Sequence, residues 1–145
     1  MFRKIIATAP VWITVPVRIA LGIIFIAHGA QKVLGLWGGK GFSAFIAGDP
    51  PFAFMRPSWL WLAAAALSEF VGGILVLVGL LTRLGALSIA IVMIVAIFGV
   101  HWGAFFGRGI EYPFALLAMT IALVIAGGGQ ASIDRLLMHG SGRRR

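Results

Sequence analysis

Five ionisable side chains sit within or at the ends of apolar stretches of this chain: His28, Lys32, Glu69, His101 and Glu111. Such a group costs about 2.5 to 3.5 kcal/mol at the centre of a bilayer, so each needs a partner or a purpose. His28 and Lys32 are four apart, which places them on one face of a helix. Two carboxylates, two imidazoles and a lysine, with Arg108 just before Glu111, nearly balance in charge. One chemistry open to them is to hold the headgroup of a quinone-like or other small ligand, with His28 or His101 donating a hydrogen bond and Glu69 or Glu111 accepting a proton. The other is purely structural: a self-satisfied network holding helices in register, at about 0.6 to 2 kcal/mol per contact. Bis-histidine haem ligation by His28 and His101 would need facing imidazoles in a cavity that Lys32 and Glu69 make unusually charged. A metal on His28, Glu69, His101 and Glu111 has suitable ligand types but no compact spacing such as H-E-x-x-H, so no metal site and no catalytic residue is assigned.

The elements that must position these groups follow from composition. Of 145 residues, 61% are hydrophobic and 11% charged, and the mean hydropathy is +1.05. A soluble domain runs nearer 45 to 50% apolar, so lipid must be the solvent for most of this chain. There is no cysteine, which excludes thiolate metal sites, iron–sulfur clusters, c-type haem attachment and thiol redox chemistry. The net charge of +8 gathers at the ends of apolar runs and reads as anchorage to anionic lipid headgroups, with no nucleic acid as partner.

Trp59 to Val100 is a run of 42 residues carrying only Glu69 and Arg83 as charges. A single helix of that length would measure about 63 Å, twice the hydrocarbon thickness, so it must fold back. The break falls near Gly79-Leu-Leu-Thr82-Arg83-Leu-Gly85, with Thr82 as a helix cap. Pro16 and Pro113 suit first turns, and Gly127-Gly128-Gly129 ends the final span. The reading is all-α: a four-helix transmembrane bundle with spans over about 16–36, 59–80, 83–103 and 110–127. A 1–15 segment whose residues 5–14 lie along the membrane surface precedes this 16–136 domain, and a basic tail, 137–145, follows it.

Four spans place both termini on one side. Arg3, Lys4, Arg18, Arg83, Arg135, Arg143, Arg144 and Arg145 fall there, against Lys32, Lys40, Arg56 and Arg108 opposite. The positive-inside bias therefore puts both termini in the cytoplasm of a bacterial-type inner membrane, and the five-residue polar cluster in the outer half. Arg18, Arg83, Asp134 and Arg135 read as interfacial anchors that pair with one another. Residues 37–58 form a long aromatic outer loop, in which Phe42, Phe45 and Ile46 share one face of a short helix and Asp49-Pro50-Pro51 forces a turn. It serves as an interfacial belt or as a lid. Gly22, Gly29, Gly72, Gly73, Gly79 and Ala63 to Ala66 let helix backbones approach closely.

In their order these landmarks resemble the DoxX family of small four-helix membrane proteins. The resemblance rests on Arg18, on His28-Gly29-Ala30-Gln31-Lys32, on Glu69 followed by Gly72-Gly73, and on Gly79-Leu-Leu-Thr82-Arg83. His101, Glu111-Tyr112-Pro113 and Gly127-Gly128-Gly129-Gln130-Ala131-Ser132-Ile133-Asp134 complete it, over residues 16 to 136. It implies a membrane redox context, since some members are associated with quinone-linked oxidation of sulfur compounds or with oxidative-stress assemblies. The leading expectation is an accessory subunit of a larger membrane redox or respiratory assembly, not catalytic on its own, with lipids and other membrane subunits as partners. A quinone-interacting oxidoreductase subunit and a small-solute permease are the alternatives. The permease would need an oligomer or a helix broken at mid-membrane, and no span carries that interruption.

Overall fold

Apolar runs bounded by glycine and proline become helices wherever the backbone can close its own hydrogen bonds, the only economical arrangement in lipid. The computed structural model describes residues 6–140, and among them there are six α-helices and no strand. They are α1 (Thr14–Val33), α2 (Phe42–Ile46), α3 (Ser58–Val78), α4 (Thr82–Gly99), α5 (Glu111–Ala126) and α6 (Ile133–Gly140). The helices α1, α3 and α4 are long and apolar enough to cross a membrane; α5 is apolar but has 16 residues.

The ends lie close to the expected spans and differ for local reasons. α1 stops at Val33, short of 36, because Gly35 turns the chain with φ +71°. α3 stops at Val78 at the left-handed Gly79. α4 ends at Gly99 where 103 was expected, and residues 100–110 form a turn-rich connection. Residues 137–140 of the expected 137–145 tail are helical, as the last turn of α6. The tail's Arg143, Arg144 and Arg145 lie outside the described residues, as do Arg3 and Lys4.

The glycines set how the helices meet. A methyl group added at Gly22 would stand 2.6 Å from Leu77 Cβ, one at Gly29 2.5 Å from Phe70 Cα, and one at Gly73 2.8 Å from the Ile26 nitrogen. Partner numbers fall on α3 as they rise on α1, so the two helices are antiparallel with backbones nearly touching. Gly72 and Gly85 do the same for α3 and α4, a methyl at Gly72 falling 3.2 Å from Gly85 O. α5 packs on α4 and more lightly on α1, closing a ring of four helices around Leu21, Phe25, Val76, Ala86, Ile89, Leu116 and Leu123. Outward faces stay apolar on every long helix, for example Ile23, Val71, Ile91 and Ile121, as a lipid solvent requires.

The turn between α3 and α4 is capped from a distance. Thr82 was expected to cap α4, yet its hydroxyl donates to Asp134 Oδ2 at 2.8 Å, and Asp134 supplies the cap. The Leu81 and Thr82 amides donate to Asp134 Oδ1 and Oδ2 at 2.8 and 2.9 Å, while the Asp134 amide donates to Gly79 O at 2.9 Å. This clamp holds Leu81 at φ +47°, a conformation that costs a non-glycine residue about 1 to 2 kcal/mol.

The segment before α1, expected along the membrane surface, is hydrogen-bonded to the end of α5 and the glycine-rich turn that follows it. The Ala9 amide donates to Ala126 O at 2.8 Å, the Gln130 amide donates to Val11 O at 3.0 Å, and Ile6 is buried. Glycines 127 and 129, both with positive φ, let this strap approach: a methyl at Gly127 would lie 2.6 Å from Ala7 O. Residue 5 of that expectation lies outside the described residues.

Candidate functional site

A cavity of about 520 Å³ opens at the Lys32 end of the helix ring. Its floor is Phe25, Met93 and Leu116, three residues of the four-helix core. The walls are almost wholly apolar, with Leu62 and Ala65 from α3 and Val92 and Ala96 from α4. The linker contributes Phe45, Asp49, Pro51 and Met55. It seats firmly on α4, where a methyl at Gly99 would meet Pro51 Cβ at 2.6 Å.

Into this apolar space project His28 and Lys32 from α1, Glu69 from α3, His101 after α4 and Tyr112 from α5. Lys32 Nζ donates to Glu69 Oε2 across the α1–α3 seam. The Glu69 side chain is 5% exposed and that of Lys32 27%, so the carboxylate is sealed in while the ammonium stays accessible from the cavity. Lys32 Nζ also lies 5.5 Å from the centre of the Phe45 ring, a cation–π contact that ties the linker helix to the pair. His101 Nδ1 lies 2.6 Å from Arg108 O. A carbonyl only accepts, so Nδ1 carries a proton and donates it there, which leaves Nε2 turned away from Arg108. His28 is exposed and has no hydrogen-bond partner among the described residues.

Four of the five residues expected to cluster thus line one cavity: His28, Lys32, Glu69 and His101. Glu111 does not. Its Oε1 accepts from the Gly107 amide at 3.1 Å, so it closes the 101–110 connection rather than facing the cavity. At the first turn of α5, a shift of one residue turns the side chain by about 100°. Tyr112, at the cavity's edge, therefore lines it in place of Glu111. Tyr112 and Asp49 were not anticipated; the signal for Tyr112 was its place four residues before the buried Leu116, and Asp49 had none beyond its turn-forming prolines. Among the described residues no three His, Asp or Glu side chains come together as a metal site.

The second polar group, at the opposite end, corrects another expectation. Arg18, Arg83, Asp134 and Arg135 form no ion pairs with one another among the described residues. Arg18 is 4% exposed and donates to Val76 O at 2.9 Å, Leu77 O at 2.8 Å, Gly128 O at 2.8 Å and Ala131 O at 2.6 Å. It is an internal clasp joining the end of α3 to the glycine-rich turn. Arg83 donates to Ala7 O and Ile125 O, both at 2.9 Å. Arg135 is half-buried, and its amide donates to Ser132 Oγ at 3.2 Å. Helix ends leave carbonyls without partners, and the guanidinium groups of Arg18 and Arg83 supply donors to Val76, Leu77 and Ile125 there.

Residues 13–102 match the model of the DoxX family, a stretch that holds Arg18, His28, Lys32, Glu69 and His101. The chain belongs to the DoxX family. Among its DoxX-type relatives, the Bacillus subtilis (strain 168) protein named "Putative oxidoreductase CatD" is 32% identical over 127 residues, 88% of each chain. The Escherichia coli (strain K12) "Inner membrane protein YqjF" is 34% identical over 125 residues, covering 83% of this chain and 88% of the relative. No solved structure matches. The DoxX match takes in α1 to α4 and hence three walls of the cavity, while Tyr112 and the rest of α5 lie beyond it.

Proposed function

We propose that this DoxX-family membrane protein is the quinone-binding, accessory subunit of a redox assembly in a bacterial-type inner membrane. One observation carries the reading: an apolar cavity of about 520 Å³ between the helices, with the Lys32–Glu69 pair in its wall and both His28 and His101 lining it. The volume falls within the range of about 300 to 1,000 Å³ that small-molecule sites occupy, and mostly apolar walls with a few convergent polar groups are their usual makeup. A quinone ring suits the chemistry of these donors, being flat and apolar with carbonyl acceptors at opposite edges. Bound there, it would take up two electrons and two protons.

The chain's own residues supply the positioning and the proton handling. Lys32, its charge balanced by Glu69, offers N–H donors to one carbonyl edge. His101, with Nδ1–H fixed on Arg108 O, presents Nε2 as an acceptor when neutral, and Tyr112 adds a hydroxyl at the same wall. Phe25, Leu62 and Met93 exclude water from the ring. In this reading the electrons come from a redox partner subunit, which is what makes the role of this chain accessory. The names of two relatives, "Putative oxidoreductase CatD" and "Inner membrane protein YqjF", agree with this setting.

The helix ring is read as a four-helix transmembrane bundle spanning residues 14–126, with α5 reaching the far headgroups through its 101–110 connection. Both termini lie in the cytoplasm, which puts the cavity in the outer half. Arg18, Arg83, Asp134 and Arg135 lie near the inner headgroup layer. The test is extraction of the protein in native lipid particles followed by mass spectrometry of the bound small molecules and proteins. Stoichiometric quinone together with a redox partner supports the proposal; a chain that emerges with lipid alone refutes it.

A further inference from the structure

We infer that the seam between α1 and α5, at its His28 end, is a lateral portal through which a ligand enters the cavity from the bilayer. The site would then serve a membrane-dissolved amphiphile, a ring carrying a long apolar tail, and not a water-soluble ring. This inference rests on reading the cavity as a ring-binding site.

The seams between the helices differ in how tightly they close. Glycines 22, 29 and 73 bring α1 and α3 into backbone contact, and Gly72 with Gly85 do so for α3 and α4, leaving no gap for a chain to pass. The linker adds cover there, with Phe45 beside Lys32 and Phe52 against Gly99. The α1–α5 seam is fastened at the other end, where Thr14 Oγ1 at 3.2 Å and Arg18 Nη1 at 2.8 Å both donate to Gly128 O, just after α5. At the His28 end, no hydrogen bond joins α1 to α5 among the described residues.

Burial along the two facing stripes shows where the seam opens. On α1 the inward stripe is sealed at Leu21 and Phe25, with 0% and 1% exposure, yet its continuation at His28 is exposed although it lines the cavity. On α5 the stripe is sealed at Leu123, Thr120 and Leu116 and opens at Tyr112, which is 50% exposed and also lines the cavity. A residue that both lines a cavity and stands exposed marks its mouth. Asp49, Trp61 and Val100 are also exposed lining residues, but close-packed seams and the linker bar passage on their sides, which leaves His28 on α1 and Tyr112 on α5 as the lips. A tail leaving between them meets acyl chains, while a polar edge of the ring reaches Lys32. For a flexible apolar chain, remaining in lipid while the ring enters costs no desolvation.

The test uses a quinone with a long isoprenoid-like tail bearing a photoreactive diazirine on the tail, added to the protein in lipid nanodiscs, with a tailless benzoquinone as competitor. The inference predicts cross-links in α1 around residues 23–28 and in α5 around 112–121, reduced at least fivefold by the competitor. Competitor-sensitive cross-links confined to the outward faces of α3 or α4 would overturn the portal and leave the cavity reading standing. Cross-links that the competitor does not reduce would overturn both, because the probe would then be reporting only dissolved tail.

Discussion

The carboxylate of Glu69 and the ammonium of Lys32 meet across the most closely packed helix pair of the molecule, α1 and α3, at the wall of its cavity. Glycine contacts bring the two backbones close enough for the pair to form, and the pair leaves Lys32 facing the cavity. Removing one partner strands a charge in an apolar setting, which costs about 3 to 5 kcal/mol when nothing replaces it. Lys32→Met and Glu69→Leu should each lower the thermal unfolding midpoint of the detergent-solubilised protein, and the double variant should regain most of the loss. Equal loss in the double variant would show that the two side chains act independently.

The Arg18 clasp gives a second prediction. Four carbonyls depend on one guanidinium, and hydrogen bonds to a charged group contribute about 1.5 to 3 kcal/mol each, though not additively. Arg18→Met should destabilise by at least about 3 kcal/mol, and Arg18→Lys, with a single donor point, should recover less than half. Unfolding in mild detergent measures both. A headgroup anchor at this position would accept lysine with little change.

Asp134 caps α4 from α6, so Asp134→Ala should cost about 1 to 2 kcal/mol. Hydrogen exchange at the Leu81 and Thr82 amides should rise with it, and the left-handed Leu81 should relax. Protection unchanged at those two amides would contradict the cap.

Gly29→Ala places a carbon 2.5 Å from the Phe70 backbone, where no side chain can give way. Overpacking costs about 1 to 3 kcal/mol, and here it also separates Lys32 from Glu69. The variant should lose both stability and ligand affinity, whereas Ala64→Leu on an exposed face of α3 should lose neither. Thermal shift and ligand titration on the same samples make the comparison.

The all-helical fold and its apolar spans were legible in the sequence because hydropathy and breakers act locally: Gly35, Gly79 and Gly127 stop helices for reasons visible within a few residues. His28, Lys32, Glu69 and His101, singled out as ionisable groups in apolar runs, come together at one cavity, although His28 stays exposed. What escaped was set by contacts distant in sequence. Asp134 lies 52 residues from the Thr82 it caps, and Arg18 is 110 from Gly128. Charge near a span end suggested ion pairs among these residues, but carbonyls left open by helix ends and a glycine turn take the Arg18 and Arg83 donors instead. Glu111 was expected in the cluster and Tyr112 was not, because their facing depends on where the first turn of α5 begins, and a one-residue shift in that start decides it.

The central claim is that the Lys32–Glu69 cavity holds a quinone ring. Trp61 lines that cavity, so titration of the nanodisc-held protein with a short-tailed quinone should quench its fluorescence saturably. The account predicts at least tenfold weaker binding in Glu69→Gln and in His28→Ala, each shown to be folded by circular dichroism. Saturable binding of equal strength in wild type and both variants, or quenching that rises linearly without saturation, would contradict it.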